Sequence, residues 1–216
     1  MINHTLSDRS RYLAPTPAGA YYCVAGNDNS APRRFIEKLL VADASPPLSA
    51  ENLQQLTQLD SDNEALEMLA HLQKLGWVQG LEDALEAPTG RLDEILPGLL
   101  SVLSVSGKAL LADEQGFYIA SSGFPHETAE ELSGLSANIA TLHDRYQGVL
   151  KNNLGEGSSA WGLVDAAGNS QIGFWPIFIG RYRFALVIGG VPRLNQPALT
   201  TLVWALNMRY GTIADE

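Results

Sequence analysis

The chain has 216 residues, is 45% hydrophobic, carries a formal net charge of −10 and contains a single cysteine. That length holds one domain of ordinary size and a smaller companion. The acidic excess opposes polyphosphate and anionic membrane surfaces, and one cysteine excludes an intramolecular disulfide.

No stretch approaches the roughly 20 uninterrupted apolar residues of a spanning helix. The N-terminus has no positive region leading into an apolar core, as a secretory leader would. A soluble, cytoplasmic protein with no membrane contact is therefore expected. Residues 1–30 read as an N-terminal arm, mobile over its first dozen residues, in which only Tyr21-Tyr22-Cys23-Val24-Ala25 suits a strand.

Residues 31–87 read as three short helices and a strand. Ser30 and Pro32 open the first helix, with Phe35, Ile36, Leu39 and Leu40 on one face. Ser49 starts the second. Ser61-Asp62-Asn63-Glu64 is a capping box for the third, whose stripe is Leu66, Leu69, Leu72 and Leu75, and Gly76 suits its end. Trp77-Val78-Gln79-Gly80-Leu81 then forms a strand. This order of elements resembles a winged-helix domain. Residues 82–90 read as a linker, acidic at the start and closed by Pro88-Thr89-Gly90.

Residues 91–211 read as an α/β unit. Leu92, Ile95, Leu96, Leu99, Leu100 and Leu103 form a helical stripe that stops at Gly107. Ala109–Ala112 and Phe117–Ala120 are strands, joined by the turn residues Asp113-Glu114-Gln115-Gly116. Leu132, Leu135, Ile139, Leu142, Tyr146 and Val149 recur three or four apart, which predicts a long helix with that face on a sheet. Three strands follow around residues 160–164, 171–175 and 182–188, and Asn195 and Pro197 open a last helix. A five-stranded antiparallel sheet with helices on both faces accounts for the order.

That order, with Leu92-Asp93-Glu94-Ile95-Leu96, the hairpin Ala109–Ser122 and Glu130-Glu131-Leu132, resembles the roadblock / dynein-light-chain family over roughly residues 91–211. The resemblance implies a homodimer that joins its sheets at the unit's third strand and pairs its long helices into a platform. Relatives use such platforms to bind small Ras-like GTPases or to tether motor and signalling complexes. Trp161, Trp175 and Trp204 are bulkier than the family pattern, and Gly155-Glu156-Gly157-Ser158-Ser159 loosens the approach to the third strand.

Chemistry is harder to find. His4, His71, His126 and His143 show no metal-ligand spacing, and Cys23 stands alone. His143-Asp144-Arg145 lies in a helix, where it reads as a solvated face. Ser121-Ser122-Gly123 and Gly157-Ser158-Ser159 lack the Gly-x-Ser-x-Gly of a nucleophile elbow. Gly155-Glu156-Gly157 lacks the Lys and Ser/Thr of a phosphate loop, and Gly189-Gly190 runs into Pro192; both read as turns. No catalytic residue, cofactor or metal is expected. Asp62, Glu64 and Glu67 outnumber Lys74 on the third helix, so nucleic acid is not the expected partner despite Arg33, Arg34 and Lys38 on the first.

A protein partner remains. The side of the long helix away from its apolar stripe carries Gly134, Ala137, Asn138, Thr141, Arg145 and Gly148. Small residues there admit a partner helix or sheet, or else the N-terminal unit. Together with Trp161 they form the candidate dimer and partner surface. Trp175-Pro176-Ile177-Phe178-Ile179 reads as an aromatic corner or a partner pocket. Arg181 and Arg183 read as an exposed strand end, or as pairing with acidic groups across a subunit boundary. The expectation is a non-enzymatic homodimeric scaffold binding a small Ras-like GTPase. Its rivals are an adaptor without a GTPase, a winged-helix transcription regulator and a small-ligand sensor.

Overall fold

A computed structural model describes residues 11–153 and 158–211. These divide into two compact units. One runs up to Thr89 and takes in the chain from Leu199 on; the other spans Gly90–Ala198.

The first unit contains β1 (Tyr12–Pro15), α1 (Pro17–Val24), α2 (Ala31–Leu40), α3 (Ala50–Thr57), α4 (Asp62–Lys74) and β2 (Val78–Leu81). β1 pairs antiparallel with β2, from Tyr12 opposite Leu81 to Pro15 opposite Val78. The strand expected at residues 21–25 is instead largely helix α1. Its start explains why: the Thr16 hydroxyl accepts from the Gly19 amide at 3.1 Å and Pro17 occupies the first turn. Gly19 also lies against the Trp77 carbonyl, where an added Cβ would come within 2.0 Å of the oxygen. Cap and close approach together override the strand preference of Tyr-Tyr-Cys-Val.

Ser49 and Ser61 cap α3 and α4 as expected, accepting from Asn52 and Glu64 amides at 3.2 and 3.5 Å. Ser30 makes no such bond. Phe35, Ile36, Leu39, Leu40, Leu53 and Leu72 are buried between these helices. The segment read as a linker, residues 82–90, carries backbone bonds to the first unit: the Ser45 amide donates to Leu85 O and the Ala87 amide to Asp43 O, both at 2.8 Å. The last helix, Pro197–Tyr210, forms where Pro197 predicts it. From Leu199 on its contacts group it with this unit, and the Trp204 indole donates to Ala42 O at 2.9 Å. The first ten residues of the expected arm lie outside the described residues.

The second unit contains α5 (Leu92–Val102), β3 (Ala109–Ala112), β4 (Tyr118–Ser122), α6 (His126–Gly148), β5 (Trp161–Val164), β6 (Ser170–Ile179) and β7 (Tyr182–Gly189). The strands form one antiparallel five-stranded sheet in the order β4-β3-β7-β6-β5. The first hairpin turns where its residues dictate. Asp113 Oδ1 accepts from the Gln115 and Phe117 amides at 3.0 and 2.9 Å, and Gly116 takes a φ of +90°.

Residues Trp175–Ile179 extend β6 rather than forming a corner. β5 pairs only as far back as Phe174, and Pro176, which has no N–H to give a neighbour, lies just past that point. One sheet face, with Leu110, Ala112, Phe174 and Val187, packs against Ala129 and Leu132 of α6. The reverse face, with Ala109, Leu111, Leu186 and Ile188, is buried too, and α5 lies against β3 and β4.

The long helix turns only part of the face its spacing suggests to the sheet: Leu132 and Ile139 of that stripe pack against the core. Ala129, Leu132, Ser133 and Ser136 are buried, whereas Leu135, Leu142, Tyr146 and Val149 are 45, 42, 48 and 49% exposed. The buried serines satisfy themselves on their own helix, donating to Ala129 O and Ser133 O at 2.7 Å. Small side chains there leave room for the bulk that the sheet supplies through Phe174, Trp161 and Ile172.

Candidate functional site: the outer flank of the long helix

The first half of α6 rests on the sheet; the second half is largely exposed. From Thr141 to Val149 every residue but His143 is exposed. Among the described residues, side-chain bonds tie this half to the strands. The Trp161 indole donates to His143 Nδ1 at 3.2 Å, and Arg183 donates to Asp144 Oδ2 at 2.8 Å with its side chain largely buried. That bond is within the chain, so Arg183 is already paired without a second subunit. Arg181 is exposed and bonded to the Tyr182 hydroxyl at 3.0 Å. Beyond Gly148 the helix widens into a π-helical turn, Val149–Asn153.

The residues expected on the outward side divide. Gly134 and Ala137 lie beneath the first hairpin: a Cβ placed on Gly116 would sit 3.2 Å from the Gly134 Cα and 3.4 Å from the Ala137 Cβ. Asn138, Thr141, Arg145 and Gly148 are exposed, with the Thr141 hydroxyl turned back to Ala137 O at 3.0 Å. Trp161 is half-buried at the start of edge strand β5 and packs into the α6-facing core. Close to it in sequence, Leu163 is 62% exposed.

The side chains that stand out are ones the sequence reading assigns to the core. Leu135, Leu142 and Val149 are seven apart and Tyr146 is four beyond Leu142, so they fall on one flank of the helix. Their spacing announces an apolar stripe but not which of two surfaces it meets. The aromatic bulk of Trp161 and Phe174 in the strands is the available clue that the sheet-facing side of the helix must be small.

The cations that made nucleic acid worth weighing are engaged elsewhere. Arg33 donates to Tyr22 O and Cys23 O at the end of α1 and to Asp28. Arg34 donates to Asn29 O, and Lys38 to Gln55 O and Leu56 O at the end of α3. Each neutralises a helix end or a loop, which is where a cation stabilises the local fold.

Among the described residues no group of three His, Cys, Asp or Glu could hold a metal ion, and no helix is long and apolar enough to cross a membrane.

Similar solved structures include the Roadblock/LC7 domain from Streptomyces avermitilis, with 15% identity, 54% of this chain and 95% of that chain covered, and a TM-score of 0.38. Myxococcus xanthus MglB matches at 16% identity over 50% and 85% of the two chains, with a TM-score of 0.34. The gliding protein MglB from Thermus thermophilus matches at 18% over 58% and 94%, with a TM-score of 0.35. The chain is similar to roadblock-domain structures. No family model and no curated protein matches it. Similarity of this order assigns the chain neither a family nor a function.

Proposed function

We propose that the protein is a non-catalytic scaffold that pairs with a second copy through the outer flank of α6 and presents the paired helices to a protein partner. The carrying observation is the uncovered stripe Leu135, Leu142, Tyr146 and Val149. An isolated helix of this length is marginal in water, and most helix stability in proteins comes from burying an apolar face. Among the described residues Leu142, Tyr146 and Val149 are left about half exposed, and exposed apolar surface marks an interaction site. Exposed Leu163 on edge strand β5 offers a further apolar contact, on the strand where the resemblance drawn from the sequence implies that sheets join. That same resemblance implies a small Ras-like GTPase as the partner.

The test is self-association. The parent chain should scatter light as a dimer. Leu142→Glu, at an exposed position, should scatter as a monomer with unchanged circular dichroism. A parent that is monomeric at all concentrations overturns the pairing. Pull-down with a small GTPase loaded with GDP or a GTP analogue tests the partner. Binding in neither state leaves an adaptor of other specificity.

A further inference from the structure

The bond between Trp161 and His143 has a direction that chemistry fixes. An indole N–H can only donate, so His143 Nδ1, 3.2 Å away, must keep its lone pair and the imidazole must be neutral. Protonation would set two donors against each other. Nor would the new charge find compensation in the indole ring. The planes of the two rings stand 89° apart and the imidazole meets the N–H edge, which is the positive rim of an aromatic ring, away from its negative face. Tyr118 and His126 make the contrast at 2.6 Å: a hydroxyl donates or accepts, so that pair survives a change of charge on the imidazole.

We infer that the Trp161–His143 bond is a proton-sensitive latch, which holds the second half of α6 on β5 while His143 is neutral and lets go when it is protonated. The position suits the role. From Thr141 to Val149 His143 alone is not exposed, and Trp161 is anchored in the core at the start of β5. Among the described residues, the charged and titratable groups around the pair are few. Asp144, Arg145 and Tyr146 follow His143 on α6, Arg183 lies on β7, and Asp113 and Glu114 of the first hairpin share a small crevice with Trp161. Asp144 and Arg183 neutralise each other at 2.8 Å, and β5 itself carries no charge. Release of the latch leaves the Asp144–Arg183 bond as the remaining tie named for this half. Leu142 and Tyr146 flank His143, so release also loosens part of the stripe proposed to pair. That consequence rests on the proposed pairing; the latch itself lies within one chain.

The test follows the four indole N–H signals of the full chain by NMR between about pH 7.5 and about pH 5.5. In that window ordinary imidazoles change charge and ordinary carboxylates do not. Trp161→Phe identifies the Trp161 signal. In the parent this proton should exchange with water about three- to tenfold faster at the acid end, after correction for the pH dependence of exchange itself, the factor for one net hydrogen bond. Backbone amides in the second half of α6 should follow. His143→Asn offers an oxygen where Nδ1 stood and takes up no proton, so it should show neither change. Trp161→Phe has no donor to lose, and its α6 amides should exchange equally fast at both ends. The latch is overturned if the Trp161 proton exchanges at one rate across the window, or if either variant responds to acid as the parent does. Light scattering on the same samples separates the latch from pairing: a monomeric parent with the His143-dependent response supports the latch and overturns the pairing alone.

Discussion

In the first unit, charged side chains are folded inward to serve the backbone. Arg33 closes the end of α1, Lys38 the end of α3, and Arg33 stacks over the Tyr22 ring at 4.7 Å while Tyr22 stacks on Trp77 at 3.7 Å. In the second unit, α6 does the opposite, placing serines against the sheet and leaving Leu135, Leu142 and Tyr146 about half exposed. The same alphabet is used against its usual sorting in both places, with different consequences. A cation that satisfies carbonyls has its donors turned to the backbone. Apolar area left in water is available to a partner, so the second unit gains a sticky surface.

The largest expected effect separates the two sides of α6. Leu132 is 8% exposed and packs into the cluster with Leu110 and Phe174. Leu132→Asp should place an unpaired carboxylate there and cost roughly 3 kcal/mol or more. Leu135→Asp, three residues on, should change stability by no more than about 0.5 kcal/mol and weaken self-association instead. Urea denaturation beside light scattering reads both. Equal destabilisation by the two substitutions would mean that α6 faces the sheet as its spacing alone suggests.

Much of this fold is legible in the sequence, and where it is not the reason is local. Turn chemistry at Asp113–Gly116 and the caps at Ser49 and Ser61 specify their elements directly, because each acts on the backbone a few residues away. The length of α6 follows from its periodic leucines. Its orientation does not, because that depends on Phe174 and Trp161, more than ten residues away in sequence, taking the volume that the leucines would fill. For the same reason the exposure of the candidate surface is only partly legible: Asn138, Thr141, Arg145 and Gly148 are exposed, whereas Gly134 and Ala137 meet Gly116 of the hairpin. The grouping of the last helix with the first unit is equally silent in its residues, since Leu199, Leu202, Val203 and Leu206 would suit any apolar surface.

A smaller effect tests the inward use of charge. Arg33→Met keeps much of the apolar stem but removes the bonds to the Tyr22 and Cys23 carbonyls and to Asp28. Charge-assisted bonds of this kind are worth about 1.5–3 kcal/mol, so a loss of about 2 kcal/mol is expected. Cys23 supplies the readout. It is buried, and burial, with the Glu37 carboxylate adding to it, pushes its thiol up to about 12. It should therefore react with a disulfide reagent only when the first unit opens. In Arg33→Met that reaction should speed up about thirtyfold under conditions where opening is a pre-equilibrium. An unchanged rate would show that the Arg33 contacts do not hold the helices together.

The smallest effect follows the same arginine outward to Asp28. Hydrogen bonding from Ser30 first, and the Arg33 guanidinium second, hold the Asp28 carboxyl at about 2, below its ordinary 3.8. Folding thus favours the ionised form, so the pair contributes fully above the ordinary carboxyl range and the contribution is lost as pH falls toward 2. Asp28 is 60% exposed, so solvent screens the pair and its worth is well under about 1 kcal/mol. The difference in stability between the parent chain and Asp28→Asn should therefore shrink steadily from about pH 5 down to about pH 2. A difference that holds constant across that window would mean the carboxylate acts as a neutral hydrogen-bond acceptor for the Ser30 amide. The guanidinium would then owe its position to the α1 carbonyls alone, and the inward bonds of Arg33 would not need their outward one.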